Sequence, residues 1–159
     1  MLQFYEEDPA VLYATDPVPV VGDAEIAFLK ERAAAHPLLR CRLCLHAGPA
    51  APAHEMVIVH HRDAYVRPHR HPSKSETLVA LEGEAEAYTF DDAGAVRSSW
   101  TLRPAGSGAS CTYFMPAGTW HALTIRSEWF VFVETTTGPF ERSGTEFPLW
   151  APARNATSA

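Results

Sequence analysis

The sequence predicts an all-β fold, a closed sandwich or barrel, with one helix before it. From Leu39 onward, short runs rich in Val, Thr, Tyr and Phe are separated by Gly, Pro and Asp at intervals of roughly ten residues. An open sheet with about eight or nine such strands would leave its edges unpaired, which favours closure. The chain has 159 residues and is 47% hydrophobic, so one core can hold it together. This composition excludes disordered and disulfide-scaffold proteins.

The N-terminal region is predicted to form an extended arm followed by a helix. Residues 1–22 carry three prolines among short apolar pairs, which favours an arm lying on a neighbouring subunit. Asp23 is typical of an N-cap, and residues 24–35 place apolar side chains on one side among charged residues. Pro37 then ends the helix.

The strands are predicted at 40–46, 55–61, 65–69, 76–81, 84–90, 95–102, 111–115, 122–125 and 129–135. Two turns are legible between them, one at Gly83 and one at residues 91–94. The chain is therefore predicted to be a single domain: an arm and helix at 1–38, a barrel at 39–137 and a tail at 138–159. The tail carries large apolar residues between prolines, so it is expected to wrap over the barrel or a partner subunit.

Charge and cysteine usage narrow the possible partners. Thirteen Lys and Arg stand against nineteen Asp and Glu, and the net charge of −6 opposes binding to nucleic acid or anionic lipid. The N-terminus does not have the pattern of a signal peptide, and no apolar run approaches the roughly 20 residues of a membrane span. We expect a cytoplasmic protein without membrane contact. Cys41 and Cys44 would face opposite sides of a strand, which predicts inert thiols.

Two segments carry the chemistry of a metal site. His69 and His71 would share one face of a strand, because side chains alternate with period two. A turn then returns the chain so that Glu76 can offer a carboxylate to the same point. His121 follows a Pro-x-Gly turn in a separate segment. Three imidazoles and one carboxylate suit one divalent transition metal per chain, such as Fe, Zn, Mn or Ni, with positions left for water or substrate.

These segments resemble the two motifs of the cupin superfamily. The matching residues are His69, His71, Glu76 and Gly83 in the first motif and Pro116, Gly118 and His121 in the second. The resemblance implies a double-stranded β-helix, the cupin jelly-roll barrel, with the metal inside its mouth. Ile125 stands where the second motif usually ends in Asn, a position that does not bind metal.

The chain further resembles the small bacterial WbuC-type cupin metalloproteins. The resemblance is carried by residues 40–46 and 67–76, by Glu134 and by the tail as far as Pro152. That family is associated with surface-polysaccharide gene clusters, which implies sugar-related chemistry without defining the reaction.

Five further residues are candidates for catalysis or substrate binding. Tyr65 and Arg67 have the parity of His69, so they would point to the same cavity, although a surface salt bridge for Arg67 fits equally. Lys74 is an acid, an anion anchor or a solvated turn residue. His46 lies on the polar face of strand 40–46, which faces solvent, a subunit interface or the pocket. Glu134 either neutralises an inward cation or lies just outside the barrel.

Other histidines are expected to have structural roles. His60 and His61 diverge to opposite faces of their strand, so at most one points inward. His54 is expected to be solvated.

The first functional hypothesis is a metal-dependent isomerase or epimerase that acts on a sugar derivative. An Fe(II) cupin dioxygenase is a second hypothesis, and a non-catalytic, metal-dependent sugar-binding module is a third. A homodimer with a small-molecule ligand is expected in each case.

Overall fold

A computed structural model describes residues 2–153, without the side chain of Arg142. Within this range the elements are β1 (Phe4–Asp8), β2 (Val11–Ala14), α1 (Asp23–Ala35), β3 (Arg40–Cys44), β4 (Ala53–His61), β5 (Glu76–Glu82), β6 (Ala85–Phe90), β7 (Val96–Leu102), β8 (Thr112–Met115), β9 (Trp120–Ile125) and β10 (Trp129–Thr137). One sheet has the order β1-β2-β3-β4-β10-β5-β8 and the other has the order β7-β6-β9. The all-β prediction with one helix is confirmed.

The alternation of side chains on β4 separates two cores. Met56 and Ile58 face the interior between the two sheets, whereas Val57 and Val59 pack with Leu29 of α1 on the outer face. The helix therefore covers one side of the large sheet. It begins one residue earlier than predicted, because Gly22 is the N-cap and its N–H donates to the Glu25 carboxylate at 3.1 Å. In residues 2–153, no helix has the length and hydropathy that crossing a membrane requires.

Two sequence-based assignments need correction. The N-terminal arm is extended as predicted, but it forms β1 and β2 and joins the large sheet of its own chain, where β2 pairs with β3 in parallel. The predicted strand at 65–69 does not form. Pro68 has no N–H to donate, and only the bridge between His69 and His121 remains of that strand.

The turn between β5 and β6 requires glycine. Gly83 has φ of +79°, and a Cβ added there would lie 2.0 Å from the main-chain oxygen of Trp129. This close approach holds the end of β5 against the start of β10.

Inward-facing residues of β10 and of its neighbouring strands lie side by side in rows that run across the sheet. Phe130 and Phe132 belong to the interior core, so Glu134 and Thr136 face the same way. Thr136 pairs with Glu76 on β5, and Glu134 pairs with Leu78. Glu134 therefore lies one inward-facing row away from Glu76, about 7 Å along the strand.

Candidate metal centre

Three imidazoles meet where the loop before β5 contacts the start of β9. The main chains of His69 and His121 exchange two hydrogen bonds, with N···O distances of 3.0 and 2.9 Å. One ring nitrogen from each of His69, His71 and His121 lies within 4.8 Å of the other two, so the group could hold a metal ion. The local bridge thus brings together two residues that are 52 positions apart in sequence.

Main-chain carbonyls set the tautomer of each ring. The Nδ1 atoms of His69, His71 and His121 donate to the carbonyl oxygens of Arg67, Gly144 and Thr119 at 2.8, 2.9 and 2.8 Å. A carbonyl oxygen only accepts, so each Nδ1 carries a proton, and in the neutral ring Nε2 presents a lone pair. This is the tautomer in which Nε2 can bind a metal.

The Glu76 carboxylate lies beside the three rings. Its carboxylate oxygens lie 3.2 Å from Nε2 of His121 and 3.6 Å from Nε2 of His71. The hydroxyl of Tyr113 donates to the same carboxylate at 3.1 Å and holds its orientation. The Glu76 side chain is only 5% exposed, so an ionised carboxylate here needs compensating positive charge.

The protonation states suit a cation. Burial raises the pKa of Glu76, but the neighbouring His121, His69 and His71 outweigh it and hold that pKa at about 2. Burial, followed by the charge of His121, lowers the pKa of His69 to about 4. Burial lowers the pKa of His121 as well, yet the Glu76 carboxylate outweighs burial and raises it. The Glu76 carboxylate favours a protonated, positively charged His121. A divalent cation would replace that proton and supply the positive charge.

The donor set fits a divalent transition metal. Nε2 of His121 is buried and is not aligned for a hydrogen bond with any described residue, even though Glu76 is close. A buried nitrogen with an unused lone pair is costly unless a ligand satisfies it. The three histidines could hold such an ion, and the Glu76 carboxylate lies beside them.

The C-terminal tail supports the centre from outside. Thr145 Oγ1 lies 3.2 Å from Nδ1 of His71, beside the Gly144 carbonyl. Arg70 and Glu146 form an antiparallel bridge, and their side chains make an ion pair of 2.7 Å. The sequence motifs did not indicate this support, because a main-chain carbonyl has no residue signature.

Three predicted candidates contact the tail. Tyr65 and Arg67 each donate to a main-chain carbonyl at 2.9 Å, to Pro152 and Ala151 respectively. Lys74 donates to the carbonyl of Pro139. The Arg67 guanidinium also lies 4.8 Å above the ring of Phe147. Each candidate thus has a partner in the tail.

His46 stacks on His54, with ring centroids 4.1 Å apart and planes inclined by 8°. The expectation that His54 is solvated is wrong: it takes an inward position near the start of β4 and is 4% exposed. Nδ1 of His46 accepts from the Glu55 N–H at 3.1 Å. Its buried Nε2 makes no hydrogen bond within residues 2–153.

Two charged residues face the barrel interior beside the centre. Burial, then the negative charge of Glu76, raises the pKa of Glu134 to about 8. Arg42 faces the interior because Cys44, two residues along β3, belongs to the interior core. The sequence left the direction of this polar face open. The structure resolves it because Cys41 and Leu43 pack on the helix side.

His60 is the inward member of the His60–His61 pair. Its ring contacts Phe132 edge-on with centroids 5.4 Å apart, and burial lowers its pKa from 6.5 to about 3. The alternation predicted for this pair is confirmed, since His61 is on the opposite, partly exposed face.

We expect His60 to make stability depend on pH. Between about pH 6 and pH 3 the unfolded chain protonates this residue while the folded chain does not, so the free energy of unfolding falls by about 1.4 kcal/mol per pH unit as pH decreases. His60→Leu should lose this part of the slope in urea titrations, whereas His61→Leu should retain it. Parallel slopes for the wild type and His60→Leu would contradict the assignment.

Comparison with solved structures supports the fold. An uncharacterized conserved protein with a double-stranded β-helix domain from Klebsiella pneumoniae is 18% identical over 69% of this chain and 79% of its own, with TM-score 0.51. KdgF from Halomonas sp. is 15% identical over 68% and 86%, with TM-score 0.52. Recombinant oxalate oxidase in complex with glycolate is 16% identical over 71% and 57%, with TM-score 0.53.

The chain spans only 21% of procruciferin from Brassica napus and 26% of Lactobacillus farciminis oxalate decarboxylase, two longer matches. No curated protein matches the sequence. The chain has the double-stranded β-helix of the cupin proteins, preceded by one helix.

The sequence also matches one family directly. Residues 21–102, slightly more than half of the chain, match the family described as "Domain of unknown function (DUF6016)". The matched range includes His69, His71 and Glu76, and His121 follows it. The chain therefore belongs to the family Domain of unknown function (DUF6016).

Proposed function

We propose that the protein holds one divalent transition metal through His69, His71, Glu76 and His121. In this proposal it isomerises or epimerises a sugar derivative or a similar small oxygenated metabolite. The convergence of one ring nitrogen from each of three histidines, with each Nδ1 bonded to a main-chain carbonyl, is the observation that carries the proposal. When bound, the metal supplies a Lewis acid that polarises a hydroxyl or carbonyl oxygen of the substrate.

The protein's own groups have separate tasks. Tyr113 orients the Glu76 carboxylate through the 3.1 Å hydrogen bond. Glu134 lies one inward-facing row from Glu76, and burial raises the pKa of its carboxyl group, so this group can hold a proton there. An isomerisation needs a group of this kind to move a proton between neighbouring carbons.

The comparisons support the substrate class. Oxalate oxidase, which shares this fold, is seen in complex with glycolate, a small hydroxycarboxylate. The resemblance to WbuC-type cupins supports a sugar derivative related to surface polysaccharides. Both ligands offer paired oxygen atoms that can chelate a metal.

A metal-reconstitution assay tests the reaction. We expect turnover of at least one member of a sugar and sugar-acid panel in D₂O, detected by NMR as proton exchange or epimer formation. Turnover should require Fe, Zn, Mn or Ni, should disappear with EDTA and should persist under nitrogen. Oxygen consumption coupled to turnover would replace this proposal with the dioxygenase. Metal-dependent binding of a sugar without turnover would replace this proposal with the non-catalytic sugar-binding module.

A further inference from the structure

Arg42 is a cation in the barrel interior without a contacting counter-ion. Its Nε is buried and donates to none of the described residues, and no ion pair of Arg42 occurs among residues 2–153. A guanidinium turned into a protein interior without a partner is unfavourable. Its position therefore favours a site that an anion completes.

The other cations near the centre already have partners. Arg67 donates to the Ala151 carbonyl, Arg70 pairs with Glu146, and Lys74 donates to the Pro139 carbonyl. These three lie against the tail. Arg42 differs from them because it projects from β3 on the interior side of the sheet.

Arg42 faces the same barrel interior as Glu134, one inward-facing row away from it. Cys44 and Glu134 both pair with Met56, so β3 and β10 present them in one row. Tyr113, which contacts Glu76, pairs with Leu78 at the end of that row. Burial and Glu76 raise the pKa of Glu134 while the charge of Arg42 opposes them, and no ion pair joins Arg42 to Glu134 among residues 2–153. Arg42 therefore lies two inward-facing rows from Glu76, with Glu134 in the row between them.

We propose that the substrate is an acidic sugar derivative whose carboxylate is bound by Arg42 inside the barrel, while its hydroxyl or carbonyl oxygens face the metal centre. This inference rests on the proposed function. The planar guanidinium matches a carboxylate with two parallel hydrogen bonds, and a six-membered sugar ring separates that carboxylate from the oxygens at its other end.

Equilibrium binding to protein loaded with Co²⁺ tests the inference. Glucuronate and glucose differ by a carboxylate in place of a hydroxymethyl group. We expect the wild type to bind glucuronate at least about tenfold more tightly than glucose. Arg42→Gln should remove this preference by weakening the binding of glucuronate. Arg40→Gln, an exposed arginine two residues away on the same strand, is the matched control and should keep the preference.

The outcomes separate this inference from the function beneath it. Failure of the wild type to bind Co²⁺ would overturn the proposed metal function. If the wild type and all variants bind Co²⁺ with the same absorption spectrum, the metal site is intact. A wild type that then shows no preference for glucuronate would overturn only the carboxylate site. Tighter binding of glucose 6-phosphate than of glucuronate would also overturn it. If Arg42→Gln does not fold, Arg42→Lys is tested instead. We expect a reduced preference for glucuronate in this variant, and an unchanged preference would contradict the proposal.

Discussion

His121→Ala should reduce the metal affinity at least about 100-fold. The variant should therefore retain almost no metal when it is purified without chelator. Loss of a group that merely orients a metal ligand costs about 10-fold to 100-fold, and loss of the ligand itself costs no less. His121 is 4% exposed, and its Nε2 faces the Glu76 carboxylate at 3.2 Å. Elemental analysis should therefore find near one equivalent in the wild type and almost none in this variant. His71→Ala should behave similarly.

The matched control is His61→Ala. His61 is partly exposed on β4, on the opposite face from His60, and it lies 3.5 Å from Asp63. His54 is a poor control because it is buried against His46. Equal metal content in His61→Ala, His121→Ala and the wild type would refute the proposed ligand set.

Short-range patterns explain why much of the fold could be predicted. Strands such as β4 and β10 lie within two residues of their expected bounds. Their boundaries are predictable because the types of neighbouring residues determine where a strand starts and ends. The proximity of His69 and His71 was predictable from their spacing, whereas their meeting with His121 was implied by the resemblance to the cupin motifs. The strand at 65–69 failed because Pro68 has no N–H to donate to a ladder, and only the His69–His121 bridge forms.

The sequence could not predict which face of a strand is covered by an element that is distant in the chain. The same alternation in β3 allows Arg42 to face solvent or the interior, and the choice is made by α1, which covers Cys41 and Leu43. The arm shows the same limit, since its prolines exclude a helix but do not say that β1 and β2 join their own sheet. Such choices require knowing which element packs on which face.

Deleting residues 139–159 should weaken metal binding about 10-fold to 100-fold, even though this tail contributes no proposed ligand. The deletion removes the Gly144 carbonyl that accepts from Nδ1 of His71 at 2.9 Å. It also removes the Arg70–Glu146 bridge and the Phe147 ring beneath Arg67. Without these contacts the His71 ring can rotate or change tautomer, so its lone pair is no longer held toward the other two.

Competition with a chromophoric chelator measures this effect, and circular dichroism verifies that the shortened chain remains folded. Deleting only residues 154–159, which lie outside the described part of the tail, is the matched control and should leave the affinity unchanged. Glu146→Ala keeps the Gly144 carbonyl but removes the 2.7 Å ion pair with Arg70, so a loss of a few-fold is expected. If removal of 139–159 leaves a folded protein with wild-type metal affinity, the tail does not position His71. The bond from Nδ1 to Gly144 would then be only a by-product of packing.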